Sequence, residues 1–253
     1  MNKKILHSAI LVSLLSLTGC NSLNTPHFSY AGHTGADHWY GLSDTWKTCE
    51  NGIKLTPVKK GSLHQSPVDF NSAIAVDPDF ALDYNKKLEF KMLNNGHSIK
   101  FDAVGTDAAT ITIANKVYTL KQFHFHSLSE HTVKGNHAVM EGHFVNVAKD
   151  GSIAVLGVFI NQSNSKGNSE LEKAFSLDMP SSGEMNARTV MLNPSNILPD
   201  GKVYNYSGSL TTPPCTEGVA WNVYSTAISL SKVKVDSFKS KYNHNYRPVT
   251  GTY

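Results

Sequence analysis

The run Gln122-Phe123-His124-Phe125-His126, answered further on by Glu141-Gly142-His143, is where the residue types and their spacing can do chemistry. In an extended strand successive side chains point to opposite faces, so Gln122, His124 and His126 share one face while Phe123 and Phe125 share the other. If 140–147 is a neighbouring strand, Glu141, His143, Val145 and Val147 also share a face, and a third imidazole joins the first two. Three neutral imidazoles around one point, with a fourth position open, are the ligand set of a catalytic zinc ion rather than a structural one. Metal-bound imidazoles need their second ring nitrogen held by an acceptor. Gln122 lies two residues before His124 and Glu141 two before His143, so each strand carries its own candidate orienting residue. No cysteines lie close enough together for a Cys-rich structural site.

Other readings compete with this one. A single histidine on a strand is usually solvated or packed in a core. His124, His126 and Glu130 also have the H-x-H-x-x-x-E spacing of the cupin metal motif, which makes a cupin-type metalloenzyme the runner-up. The glycine that cupins carry six residues before the first histidine is Tyr118 here, and their second motif has no match around His143.

The elements that must position these residues are mostly strands. Alternating runs at 87–91, 98–104, 110–114, 117–126, 137–148 and 152–161 read as β, with hairpin turns at Asn115-Lys116 and Asp150-Gly151. Helical signals are short, chiefly Ser169 to Phe175 and Lys232 to Lys241. The expected class is mainly β, mostly antiparallel, in one domain.

Four segments then carry a resemblance: Gln122 to His126, Ser129-Glu130-His131-Thr132-Val133, Glu141-Gly142-His143-Phe144-Val145, and Gly208-Ser209-Leu210-Thr211-Thr212-Pro213-Pro214. Together they resemble the alpha-class carbonic anhydrases, in order along nearly the whole chain from Trp39 to Pro248. The resemblance implies a large twisted central sheet of about ten strands with a few short helices. It implies zinc on His124, His126 and His143, and reversible hydration of carbon dioxide to bicarbonate and a proton by hydroxide formed at the metal. Gln122 and Glu141 become the outer partners of the ligands, and Thr211 the hydroxyl that orients the hydroxide while donating to Glu130. His97, in Asn94-Asn95-Gly96-His97, becomes the proton shuttle, histidine having an unperturbed pKa of ~6.5. Val145, Val155, Leu210, Thr212, Val219 and Trp221 become the substrate wall. Sulfonamides and small anions are the expected inhibitors. A catalytically silent binding protein of the same family is a further alternative, against which stand the three histidines, Thr211 and Glu130.

Two positions depart from the family pattern. Lys100 stands where a neutral amide is usual, which predicts a lowered shuttle pKa. His38-Trp39-Tyr40-Gly41 lacks the glycine common between Trp and Tyr, and Tyr40 is the candidate for the tyrosine of the water network.

Residues 1–19 begin with Lys3 and Lys4 and continue as an apolar run too short for a spanning helix of ~20 residues, which reads as a secretory signal. Leu17-Thr18-Gly19-Cys20 resembles a bacterial lipobox, so Cys20 is a candidate lipidation site, the expected location is the periplasm, and membrane attachment would be through that lipid alone. Residues 20–36 read as a flexible tether and 37–253 as the enzyme domain. Of the 23 basic residues two lie in the leader, leaving 21 against 20 acidic ones, a balance that gives no footing for nucleic acid. With Cys20 at the lipobox, Cys49 and Cys215 remain of three cysteines. In an exported chain a disulfide is their expected state, and the resemblance implies the same pairing. A homodimer is left open.

Overall fold

The runs that alternate in sequence become the middle of one large sheet. The computed structural model describes residues 26–52, 56–57, 64–84, 86–105, 109–184 and 188–253; the expected secretory signal at 1–19 and Cys20 lie outside the described residues. The ten strands are β1 Phe80–Asp83, β2 Leu88–Asn94, β3 Ile99–Ala103, β4 Thr110–Ile113, β5 Lys116–His126, β6 Met140–Ala148, β7 Ile153–Ser163, β8 Arg188–Leu192, β9 Val203–Ser209 and β10 Glu217–Ser231. Across the sheet they run β8-β2-β3-β5-β6-β7-β10-β9, with β4 on the first half of β5 and β1 on β4. The pairing is antiparallel except between β7 and β10, which is parallel. A small second sheet joins Thr56–Pro57, Gly251–Thr252, Asp69–Phe70, Thr132–Val133 and Asn136–His137. The two main helices are α1 Ser169–Ala174 and α2 Lys232–Lys241. Asn168 caps α1 by accepting the Leu171 N–H at 3.0 Å.

The hairpin between β4 and β5 turns one residue earlier than the sequence suggests. Ile113 pairs with Lys116, and Ala114 and Asn115 take positive φ of 48° and 63°. A two-residue turn of this hand needs both central residues left-handed, a conformation Asn tolerates.

Phe123 and Phe125 leave the sheet on the face away from the histidines. They enter a core with Phe90, Phe101 and Phe144 of the neighbouring strands and Phe175 and Phe238 of the helical side, all buried. The Phe123 ring lies 4.7 Å from that of Phe101 and 5.1 Å from that of Phe144. At about 1.5–3 kcal/mol for each fully buried large apolar side chain, this layer fixes the register, because a slip of one residue would turn every phenyl onto the polar face.

The expected tether is packed from its described part onward. Phe28, Tyr30 and Ala36 join Trp39, Trp46, Cys49 and Cys215 in a cluster, so ordered packing begins ahead of the boundary expected at 37.

Cys49 and Cys215 are bonded, their Cα atoms 5.1 Å apart across a separation of 166 residues. Closing so long a loop limits the unfolded chain by about 5 kcal/mol in the chain-entropy picture. Reduction should therefore lower the melting temperature and loosen the loop that carries Thr211. Two alkylatable thiols in the unreduced, denatured protein would show the bridge absent in solution.

Candidate metal centre

The register of β5 on β6 sets His124 directly opposite His143, and His126 opposite Glu141. The rings of His124, His126 and His143 lie 5.0, 5.3 and 4.6 Å apart in pairs. One nitrogen from each falls within 4.8 Å of the others.

Their outer contacts decide which nitrogens those are. His124 Nδ1 donates to Gln122 Oε1 at 2.8 Å, His126 Nδ1 to the Asn245 carbonyl at 2.6 Å, and His143 Nε2 to Glu141 Oε1 at 2.9 Å. Each partner oxygen accepts, so each of these nitrogens bears the proton and the other presents a lone pair. His124 Nε2, His126 Nε2 and His143 Nδ1 therefore face one another as three acceptors. His126 Nε2 is buried with no hydrogen-bond partner among the described residues. A buried acceptor without a donor is costly, and three such lone pairs at one point suit a cation.

The surroundings keep two of the three rings neutral and favour the proton on the third. Burial, followed by the charges of His126, His143 and Lys100, holds His124 well below the ordinary histidine range, and burial lowers His126 as well. Burial also pushes His143 down, but the Glu141 carboxylate outweighs it and raises that ring.

Glu141 is held from four sides. Oε1 accepts from His131 Nδ1 and His143 Nε2, and Oε2 from the backbone N–H groups of Glu130 and His131, all between 2.8 and 2.9 Å. His131 Nε2 then accepts from Tyr206 at 2.7 Å, and the Tyr206 oxygen meets Ser66 Oγ at 2.7 Å. The close fit extends to Gly157, opposite His143, where a Cβ would come within 3.2 Å of Glu141 Oε1. Glu141→Gln would turn an NH2 group toward two fixed donors in either orientation. The expected outcome is a ~10- to 100-fold loss of metal affinity, as for other outer partners, measured by competition with a chromogenic chelator. Unchanged affinity would mean that Glu141 does not hold the ring.

Val145, Val155 and Trp221 lie side by side across β6, β7 and β10, on the face that carries His143. Val219 and Leu210 complete one apolar cluster with them, so all five expected apolar wall residues come together. Trp221 packs its ring 4.9 Å from His143. Thr212 and His97 line a cavity of about 190 Å³ with Gln122, His124 and His126. His97 also borders an outer cavity of about 460 Å³ with His27, Lys241, Tyr242 and His244. The Phe28 ring stacks on His97 at 3.8 Å and His27 lies 5.7 Å from it. Burial first, and then His27, lowers the His97 pKa below the usual 6.5. Lys100, the cause expected from sequence, is instead paired with Asp102 at 3.0 Å.

Thr211 and Glu130 are both buried, but the hydrogen bond expected between them is not formed. Glu130 Oε1 accepts the Arg247 N–H at 2.8 Å. Oε2 has no hydrogen-bond partner among the described residues and lies 3.8 Å from His143 Nδ1.

Three contributors escaped the sequence reading. Tyr30, not Tyr40, lines the histidine cavity; Tyr40 packs with Trp39 and the disulfide. The signal was present in Phe28-Ser29-Tyr30, ahead of the Trp39 from which the likeness was counted. Asn245 fixes His126 and also accepts the Ser127 N–H at 2.8 Å. Arg247 donates to Gln65, Ser66 and Cys49 between 2.8 and 3.0 Å and covers the Trp39 ring at 5.5 Å. No local pattern marks either residue.

The family model described as eukaryotic-type carbonic anhydrase matches residues 43–251. A carbonic anhydrase of Klebsiella pneumoniae is 37% identical over 229 residues, which is 88% of this chain and 87% of the relative. One from Neisseria gonorrhoeae is 32% identical over 251 residues, 96% and 92% of the two chains. Among solved structures, the alpha-carbonic anhydrase from Thermovibrio ammonificans in complex with the inhibitor sulfanilamide is similar with a TM-score of 0.77 and 38% identity, covering 88% of this chain and 95% of that one. These matches overturn the cupin alternative, whose expected ligand Glu130 is engaged by the Arg247 backbone. The fold, the register that gathers the histidines and the extent of these matches together make the chain a member of the alpha-class carbonic anhydrase family.

Proposed function

We propose that the protein interconverts carbon dioxide and bicarbonate with zinc held by His124 Nε2, His126 Nε2 and His143 Nδ1. The observation that carries this reading is the buried, partnerless His126 Nε2 facing two further lone pairs. Zinc bound there would acidify a water ligand so that hydroxide is available near neutral pH, the chemistry for which the family is the standard example.

The chain's own residues divide the remaining work. Gln122, Glu141 and the Asn245 carbonyl fix the ring orientations. Val145, Val155, Leu210, Val219 and Trp221 offer a small apolar molecule a dry wall without donors that would favour water, and Thr212 stands at the cavity side. Glu130 Oε2, buried and free to accept, is the acceptor we assign to the Thr211 hydroxyl, whose own oxygen then orients the attacking group. His97 borders both cavities and carries the proton from the inner one to the outer.

We further propose that residues 1–19 direct export to the periplasm, that Cys20 is the point of lipid attachment, and that 37–253 contain the catalytic domain, with 26–36 packed on it. Among the described residues no helix is long and apolar enough to cross a membrane.

Metal analysis of the purified protein, with carbon dioxide hydration measured with and without a sulfonamide, tests the reading. Stoichiometric zinc and sulfonamide-sensitive hydration are expected. A folded, zinc-loaded protein without turnover would make it a silent binder.

A further inference from the structure

Among the described residues lining the inner cavity, Lys100 is the only lysine or arginine. Its register partner on β5 is His124, and that of Asp102 is Gln122, so both charged side chains leave the sheet on the face of the histidines. Lys100 Nζ lies 3.0 Å from Asp102 Oδ1, and the two side chains are 29% and 33% exposed. An ammonium has three donors, and this contact engages one.

The other polar side chains along this cavity, Asn95, Ser98 and Thr212 among them, carry no charge, and Gln122 is turned toward His124. The two carbon species of the proposed reaction differ in charge, one neutral and one a monoanion. A cation at the cavity side acts on the second and leaves the first almost untouched.

We propose that Lys100 forms a subsite for small monovalent oxyanions of the bicarbonate class beside the histidine cluster, with Asp102 positioning the ammonium and moderating its pull. The subsite rests on the carbon dioxide–bicarbonate reading given above. A unit charge several ångströms away at an effective dielectric between that of protein and water changes anion affinity by roughly 3- to 10-fold.

The test uses the zinc-loaded protein and its Lys100→Gln, Lys100→Arg and Asp102→Asn variants. Thiocyanate binding is measured by calorimetry and bicarbonate by its competition with thiocyanate, with metal content and melting temperature checked for each variant. Lys100→Gln is expected to weaken both anions roughly 3- to 10-fold. Lys100→Arg should keep the affinity near wild type, and Asp102→Asn should tighten it, because the ammonium is then unpaired. Opposite signs for the two neutralising variants are what a merely structural ion pair would not produce. Equal anion affinities in all four proteins, with carbon dioxide hydration intact, would overturn the subsite. Absence of hydration in the wild-type protein would instead overturn the underlying reading, while the thiocyanate series would still report on Lys100.

Discussion

His126→Ala protein is expected to leave purification almost free of zinc and without measurable hydration activity. The substitution removes one of three acceptors and strips the Asn245 carbonyl of the donor it receives at 2.6 Å. His124 and His143 remain, each held by Gln122 or Glu141, but two imidazoles are one protein ligand short of the three that hold a catalytic zinc ion. The loss should exceed the ~10- to 100-fold typical of an outer partner such as Glu141, and Gln122→Ala gives the matching milder control for His124. Elemental analysis and equilibrium dialysis read the outcome independently of turnover. Zinc retained near one per chain in the His124, His126 and His143 alanine variants would remove the three-histidine assignment.

In His97→Ala protein, kcat for hydration in dilute, bulky buffer should fall about 10- to 100-fold, at or just below the range of a positioned acid or base. The ratio kcat/KM should hardly change, because attack on carbon dioxide precedes the export of the proton. Small diffusible imidazole should restore much of the lost rate. The pH profile gives a second check with a definite sign. His97 accepts a proton only when neutral, and burial together with His27 holds its pKa below 6.5. The wild-type kcat should therefore rise with pH through a midpoint below that value, and His27→Ala should move the midpoint upward. Equal falls in kcat and kcat/KM without imidazole rescue would make His97 a structural or substrate-binding residue.

How much was legible in the sequence can be seen residue by residue. The face shared by His124 and His126 follows from the two-residue period of a strand, and the phenyl layer on the other face makes that assignment stable, since Phe123 and Phe125 are both buried in the core. Gln122 and Glu141 were readable because each lies two positions from the ring it holds. The third outer partner was not, because the Asn245 carbonyl meets His126 across 119 residues and a backbone oxygen has no residue type to betray it. β10 was missed although Val219, Trp221 and Val223 alternate in it. Its middle, Ser225-Thr226-Ala227, interrupts the apolar period before Ile228 and Leu230 resume it, and its pairing with β7 shifts register between Val158 and Ile160. Tyr30 was assigned to a tether by composition, which takes no account of a short polar segment tied down by aromatic contacts such as those of Phe28 with Trp39 and His97.

The dependence of the site on Asn245 and Arg247 has a consequence for biogenesis. All three proposed metal ligands have been synthesised by residue 143, yet the atoms that orient His126 and Glu130 arrive only after about another hundred residues. Contacts of such long range form late, since loop closure must precede them. During synthesis the histidines can be gathered on paired strands while the ring of His126 still lacks the carbonyl that holds it. Competence therefore comes with the docking of the segment after α2, and a chain interrupted before it would carry every ligand and still lack an ordered centre.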